Sequence, residues 1–259
     1  MTLPPHPVWA EVRQRNSLSI DLAFRRYGDI GVCALRDTEA GIEVARFRLE
    51  DLGLRGQPKA DALAKAVAAL AGDLGARLVF IDGPQAWKAP DNGLEHARLC
   101  ERALATPGKT GLPGVTKPAN YGPFIAFSID FFDALSSLGW PRLSSEAGLG
   151  SDERFAIESF PTSAWRGLGL QALPGKAKTP PAMIGAKLGE LRALCALACP
   201  DDLTHDELQA LVAGLAGVAA EGHVALRCNT VGAPPFELEG TWREGFIVNP
   251  AMRDANAGG

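Results

Sequence analysis

The segment Arg77-Leu-Val-Phe-Ile-Asp82-Gly-Pro84 indicates the fold of this chain. Its apolar residues form a short, unbroken run that stops at Gly83, and this length favours a strand buried on both faces. In α/β proteins, sites lie in the loops at the carboxyl ends of such strands. Asp82 is therefore the first candidate for chemistry, and the alternative interpretation is that it only caps the turn.

The residues before this strand predict an antiparallel meander and then a crossover helix. Leu18 to Phe24 alternates apolar and polar residues, which is typical of a half-buried strand with Asp21 on its polar face. Two further short strands are predicted, at 30–35 and 42–49. A helical period follows from Lys59 to Gly75. A β-β-β-α-β order would bring Asp21 and Asp82 close together on neighbouring strands.

The second half of the chain predicts mainly helices. Helical patterns cover 94–104, 124–138 and 182–198, and short strands are predicted at 154–161 and 240–250. Thr204-His-Asp-Glu207 has the pattern of a capping box. The helix that it opens is uncharged from Leu208 to Ala220, which predicts a buried helix whose small residues pack on a sheet.

We expect one domain at 17–250, between an N-terminal tail at 1–16 and a disordered tail at 251–259. Residues 106–123 are dense in Gly and Pro and predict an inserted functional loop or lid.

Composition and charge limit the classes of function. The chain has 259 residues, of which 46% are hydrophobic and 22% are charged, as is typical of a globular protein. Its net charge of -4 gives no overall basic field, so nucleic acid would need a local basic patch. The five cysteines form no C-x-x-C pair, which predicts reduced core residues of a cytoplasmic protein. Neither a secretory leader nor a membrane span is expected.

Acidic residues at the ends of different elements form the candidate catalytic site: Asp21, Asp82, Glu158 and Asp206. Carboxylates that cluster in a partly buried site need cations to stay ionised together. Oxygen ligands without His or Cys favour Mg²⁺ or Mn²⁺, and two such ions suit in-line attack on a phosphodiester. For Asp206 the alternative interpretation is a favourable interaction with the helix dipole.

Basic residues flank these acids along the chain and are candidates for substrate binding: Arg98, Lys109, Arg166, Lys176 and Lys178. They would bind phosphate or form a solvated face. The segment around Lys109 lacks the first glycine and the preceding strand of a P-loop. His205 is interpreted as part of a helix cap and not as a ligand.

Several short motifs occur in an order that resembles the DUF429 family: Phe80-Ile-Asp82-Gly-Pro84, Arg98-x-Cys100-Glu101, Ile157-Glu158-Ser-Phe-Pro161, Lys176-x-Lys178, Asp206 before a small-residue helix, and Glu244-Gly-Phe-Ile-x-x-Pro250. The resemblance implies a predicted nuclease with a ribonuclease-H-like fold. In such a fold, a mixed α/β sheet with an antiparallel meander followed by parallel strands is flanked by helices. It also implies that Asp21, Asp82 and Asp206 bind divalent metal, with Glu158 as a fourth ligand or a supporting group. Asp206 is followed by Glu207, and either could face the site.

The favoured hypothesis is a nuclease that depends on Mg²⁺ or Mn²⁺ and holds nucleic acid through a local basic patch. Two alternatives remain open, because a fold does not fix a function. One is a non-catalytic or regulatory binding protein on the same fold. The other is an actin-like ATPase-type phosphotransferase, against which the lack of a phosphate-loop pair counts.

Overall fold

Two parallel strands, β1 (Asn16–Asp21) and β4 (Ala76–Asp82), form the centre of an eight-stranded mixed sheet. The structure, a computed structural model, describes residues 16–253. Residues 78–81 are fully buried, as predicted for a strand covered on both faces. Asp21 lies opposite Asp82 in the register of the two strands. The predicted β-β-β-α-β order is confirmed, and it places these two acids side by side.

The other strands of the described residues are β2 (Gly31–Thr38), β3 (Gly41–Arg46), β5 (Lys109–Thr110), β6 (Thr116–Lys117), β7 (Phe155–Ser159), β8 (Leu197–Ala198), β9 (Leu226–Leu238) and β10 (Thr241–Met252). The α-helices are α1 (Ala60–Asp73), α2 (Leu99–Leu104), α3 (Gly122–Ser137), α4 (Pro161–Gly167), α5 (Pro181–Cys195) and α6 (His205–Ala220). The main sheet has the order β8-β3-β2-β1-β4-β7-β10-β9, and β5 pairs with β6 separately. Strand β2 is antiparallel to β1 and β3, whereas β7 is parallel to β4.

Helices cover both faces of the sheet. Helices α1 and α3 pack on the face that carries Leu18 and Ile20. Helix α6 covers the opposite face through its small residues: a Cβ atom at Gly217 would lie 2.2 Å from the Cβ of Ser17. The predicted close packing of this helix on a sheet is therefore confirmed. The half-buried character predicted for β1 is wrong, because α6 also buries its polar face, including Ser19.

Several predicted boundaries are also wrong. Strand β1 ends at Asp21 and does not reach Phe24, and the helix predicted at 94–104 begins only at Leu99. Pro161, predicted to end a strand, is the first residue of α4, where a missing N–H costs nothing. The predicted loop 106–123 contains the short β5–β6 hairpin.

The chain ends differ from the prediction as well. Strand β10 continues through Ala251 and Met252, which were assigned to a disordered tail, while 254–259 lie outside the described residues. Of the predicted N-terminal tail, Asn16 belongs to β1, and 1–15 lie outside the described residues. Between residues 16 and 253, none of the helices combines the length and apolar character that crossing a membrane requires.

Candidate metal centre

The centre is built on the carboxyl ends of β1 and β4. Side chains alternate along a strand, so Asp21 points to the same face as Ser17 and Ser19, which is the face that α6 covers. Asp82 is the register partner of Asp21 and points to that face as well. A hydrogen bond between the two carboxyl groups helps to raise the pKa of Asp21 and opposes the rise in the pKa of Asp82. Two acids are thus held side by side at one edge of the sheet.

Asp206 reaches this edge from the first turn of α6. The start of the helix lies directly on β2 at Gly31, which is the register partner of Asp21. A Cβ atom at Gly31 would lie only 2.1 Å from the backbone carbonyl oxygen of Asp206, so a residue without a side chain is required there. The potential ligand atoms of Asp21, His205 and Asp206 lie within 4.8 Å of one another.

The capping box of α6 involves only one of the two adjacent acids, Asp206 and Glu207, in the first turn of the helix. The Thr204 hydroxyl accepts from the Glu207 amide at 3.2 Å, and the Thr204 amide donates to Glu207 Oε2 at 2.7 Å. The predicted cap is confirmed. Because Glu207 folds back onto the helix start, Asp206 is the acid that faces the centre.

His205 lies within the acid cluster and does not cap the helix, so its interpretation as part of the cap is wrong. Its Nδ1 lies 3.1 Å from Asp206 Oδ1, and its Nε2 lies 2.9 Å from the Pro174 carbonyl oxygen. Both partners accept hydrogen bonds, so both bonds together require the doubly protonated imidazolium. Burial lowers the pKa of His205, but the bonds to Asp206 and Pro174 outweigh burial and raise it.

Like charges and burial perturb the paired carboxyls. The pKa of Asp21 lies well above its usual value because of burial first, and then because of the charges of Asp82 and Asp206. Burial also raises the pKa of Asp82, to about 7, against the lowering effect of the hydrogen bond from Asp21. The centre therefore carries excess negative charge when it is fully ionised, which a bound cation would relieve.

Lys176, predicted to bind substrate, contacts the acids directly. Its ammonium group pairs with Asp206 Oδ2 and, at 3.1 Å, with Asp29 Oδ1. Burial lowers the pKa of Lys176, but its bonds to Asp206 and Asp29 raise it overall. About half of its side chain (53%) remains exposed, so the ammonium group supplies a positive charge that can move away.

Glu158 is not part of this group. It is the register partner of Ile81 and therefore points to the opposite face from Asp82. Both of its oxygens accept from Arg98, at 2.6 and 2.7 Å, and Oε2 also accepts from the Gln85 amide at 3.0 Å. Burial raises the pKa of Glu158 although Arg98 opposes the shift. This carboxylate is committed to an internal ion pair.

The basic residues predicted to bind substrate lie in different environments. Arg98 is only 1% exposed and also pairs with Glu101. Its guanidinium group is therefore not part of a solvated face and is not free to bind phosphate. The ammonium group of Lys109 bonds to the Thr106 and Glu101 carbonyl oxygens. Arg166 on α4 and Lys178 near Lys176 are exposed. Lys176 therefore contacts the acid cluster, whereas Arg98 is buried in ion pairs with Glu101 and Glu158.

The loop between β4 and α2 is held by Glu244, which the sequence indicates only as part of a motif. This buried carboxylate accepts from the Ala89 amide at 2.9 Å, the Asn92 side chain at 2.6 Å and the Leu99 amide at 2.8 Å. The next residue, Gly245, has a φ of +123°. Glu244 thus fixes the segment that leads from β4 into α2.

A cavity of about 430 Å³ opens next to Asp82, above the carboxyl ends of β4 and β7. The predicted loop contributes to its wall through residues 106–108 and 120–121. The cavity and the acid cluster therefore share Asp82.

Comparisons with protein-family models, with curated proteins and with solved structures each gave no match.

Proposed function

We propose that this protein is a divalent-metal-dependent hydrolase that cleaves phosphodiester bonds in nucleic acid. Asp21, Asp82 and Asp206 would hold Mg²⁺ or Mn²⁺. The observation that supports this most strongly is that Asp21, at the end of β1, lies beside Asp82 on β4 and has a potential ligand atom within 4.8 Å of one on Asp206 of α6.

The residues present suit a hard cation. The carboxyl groups offer only oxygen ligands, which Mg²⁺ and Mn²⁺ prefer. The imidazole of His205 is also within reach, but it could become a ligand only by giving up its hydrogen bond to Asp206 or to Pro174. Burial raises the pKa values of both Asp21 and Asp82, and at Asp21 the charges of Asp82 and Asp206 raise the pKa further; a doubly charged ion would offset both effects.

The arrangement of the acids also agrees with the family resemblance. A ribonuclease-H-like fold is expected to place acids on its first strand, its fourth strand and a late helix. Here Asp21 ends β1, Asp82 ends β4 and Asp206 begins α6. The antiparallel β1-β2-β3 meander beside the parallel pair β1 and β4 supports the same fold assignment.

A divalent ion bound there would supply the positive charge that activates a water molecule and stabilises the leaving oxygen. Neighbouring residues of the chain position the acids that would bind this ion. Gly31 lets Asp206 approach Asp21, and the capping box keeps Glu207 away. Lys176 balances the charge of Asp206 and, because it is half exposed, can turn toward a phosphate group.

The test is a cleavage assay on single-stranded, duplex and hybrid oligonucleotides with Mg²⁺ or Mn²⁺. Asp21→Asn and Asp82→Asn each remove one ligand charge, and we expect them to reduce the rate by at least about a hundredfold, as for loss of a group that stabilises transition-state charge. Asp73→Asn, at the exposed end of α1, serves as the matched control and should cleave like the wild type. Metal-dependent binding of nucleic acid without cleavage would contradict the proposal and favour a binding protein.

A further inference from the structure

The cavity next to Asp82 has the size of a small-molecule site. Its volume of about 430 Å³ lies within the roughly 300–1,000 Å³ that ligand pockets occupy. Its walls come from distant segments, namely the residues that follow β1, the loop before β5 and the start of α3. We infer that this cavity binds one unpaired nucleobase, so that the substrate of the metal centre is single-stranded nucleic acid. The inference that the substrate is single-stranded rests on the proposed hydrolase function. The inference that the cavity binds a nucleobase does not depend on that function.

Aromatic side chains form one wall. The rings of Phe24 and Phe124 lie 6.1 Å apart at a tilt of 51°, and both residues are only partly buried. Tyr121 is 38% exposed, and its ring packs against Gly108, where a Cβ atom would lie 2.6 Å from a ring carbon. The Arg25 guanidinium lies 5.8 Å from the centre of the Phe24 ring. Aromatic rings and guanidinium planes are the surfaces on which unpaired bases stack.

The charges that line the cavity favour a base over a phosphate group. Five charged residues line it, namely Arg25, Asp82, Arg98, Glu101 and Glu158, so the lining carries one net negative charge when all are ionised. Glu101 and Glu158 both pair with Arg98. An anion would be repelled there, whereas a neutral heteroaromatic ring would not. The phosphate group would instead lie at the cation held by the acids.

Asp82 connects the two parts of the site, because it lines the cavity and pairs with Asp21. The base and the phosphate group of one nucleotide are covalently joined, so a base in the cavity would place its phosphate near the acids. A base within a duplex cannot offer its faces and its edge to such a cavity unless it leaves the stack. Single strands and unpaired ends are therefore the substrates that fit.

The test is a titration of the wild type with uncharged nucleosides in EDTA, followed by saturation-transfer NMR and calorimetry. Nucleosides carry no phosphate, so their binding is independent of the metal. Tyr121→Ala and Phe124→Ala should each weaken binding about fivefold or more, as expected for the loss of a stacking partner. Phe236→Ala, which removes an exposed ring from the edge strand β9, is the control and should bind like the wild type.

The outcomes separate this inference from the proposed function. If the wild type binds Mn²⁺ and cleaves oligonucleotides but binds no nucleoside, the base cavity is wrong and the hydrolase stands. If nucleosides bind and respond to Tyr121→Ala while Mn²⁺ does not bind, the base cavity stands and the hydrolase is wrong. Nucleoside binding that is unaffected by both cavity variants would also overturn the inference, because it would place the base elsewhere.

Discussion

Gly31 and Asp206 are in backbone contact so close that a Cβ atom at position 31 would lie 2.1 Å from the Asp206 carbonyl oxygen. Gly31 is also opposite Asp21 on the neighbouring strand. This contact determines how near the first turn of α6 comes to the acids of the sheet. The position of the metal centre thus depends on a residue that carries no functional group.

Gly31→Ala should therefore displace the start of α6. We expect a loss of roughly 1–3 kcal/mol in the free energy of unfolding, as for other overpacked sites, together with weaker Mn²⁺ binding. Denaturant unfolding and calorimetric titration measure the two effects. The matched control is Gly185→Ala in α5, where the new methyl group meets no atom within 4 Å. A Gly31→Ala protein with wild-type stability and Mn²⁺ affinity would show that the close contact does not position Asp206.

Lys176→Met should strengthen Mn²⁺ binding, by about three- to tenfold, because the Lys176 ammonium group competes for Asp206. The Lys176 side chain is half exposed (53%), so its loss should change the free energy of unfolding by no more than about 1 kcal/mol. Lys178→Met, two residues away and also exposed, is the control. Weaker Mn²⁺ binding in the Lys176 variant would mean that this lysine supports the centre and does not compete with the ion.

Asp82→Asn should make the metal-free protein more stable at alkaline pH. The pKa of Asp82 is raised from 3.8 to about 7, so the folded state holds this proton more tightly than the unfolded state. Stability from this group is complete below about pH 4 and is lost as the pH rises through 7. In EDTA at pH 8, we expect the variant to exceed the wild type by roughly 1–3 kcal/mol, with the difference vanishing near pH 4. Parallel stability curves from pH 4 to 8 would contradict the raised pKa.

Arg98→Met should destabilise the fold rather than affect substrate contacts. It leaves the buried carboxylates of Glu158 and Glu101 without their cation, which typically costs about 3–5 kcal/mol. Arg102→Met, at an exposed position of the helix α2 that Arg98 precedes, should be close to neutral. Adding Glu158→Gln to Arg98→Met should restore part of the loss, and denaturant unfolding measures all of these variants. If Arg98→Met left stability unchanged but weakened oligonucleotide binding, Arg98 would contact the substrate, as the sequence predicts.

Local patterns were sufficient to predict the elements that carry the acids. The apolar run before Asp82 and the capping box at Thr204 are both short-range signals, and both elements occur where they were expected. The burial of the polar face of β1 could not be predicted in the same way. It depends on contacts such as the one between Ser17 and Gly214, which are 197 residues apart in the chain.

Pairing between charged side chains was the least predictable feature of the site. Arg98 resembles a surface residue in the sequence, and its burial follows only from the meeting of Glu101 and Glu158 around it. His205 was assigned to the cap because the motif gives no sign of its bond to Pro174. Strand β9 was missed because its two adjacent prolines interrupt the pattern, which an edge strand tolerates.

The most direct test of the metal centre is a calorimetric Mn²⁺ titration of the wild type, Asp82→Asn and Asp73→Asn at pH 8, where Asp82 is ionised. We predict saturable binding to the wild type and to Asp73→Asn, and its loss in Asp82→Asn. Equal binding by all three proteins, or no binding by the wild type, would contradict a cation site formed by Asp21, Asp82 and Asp206.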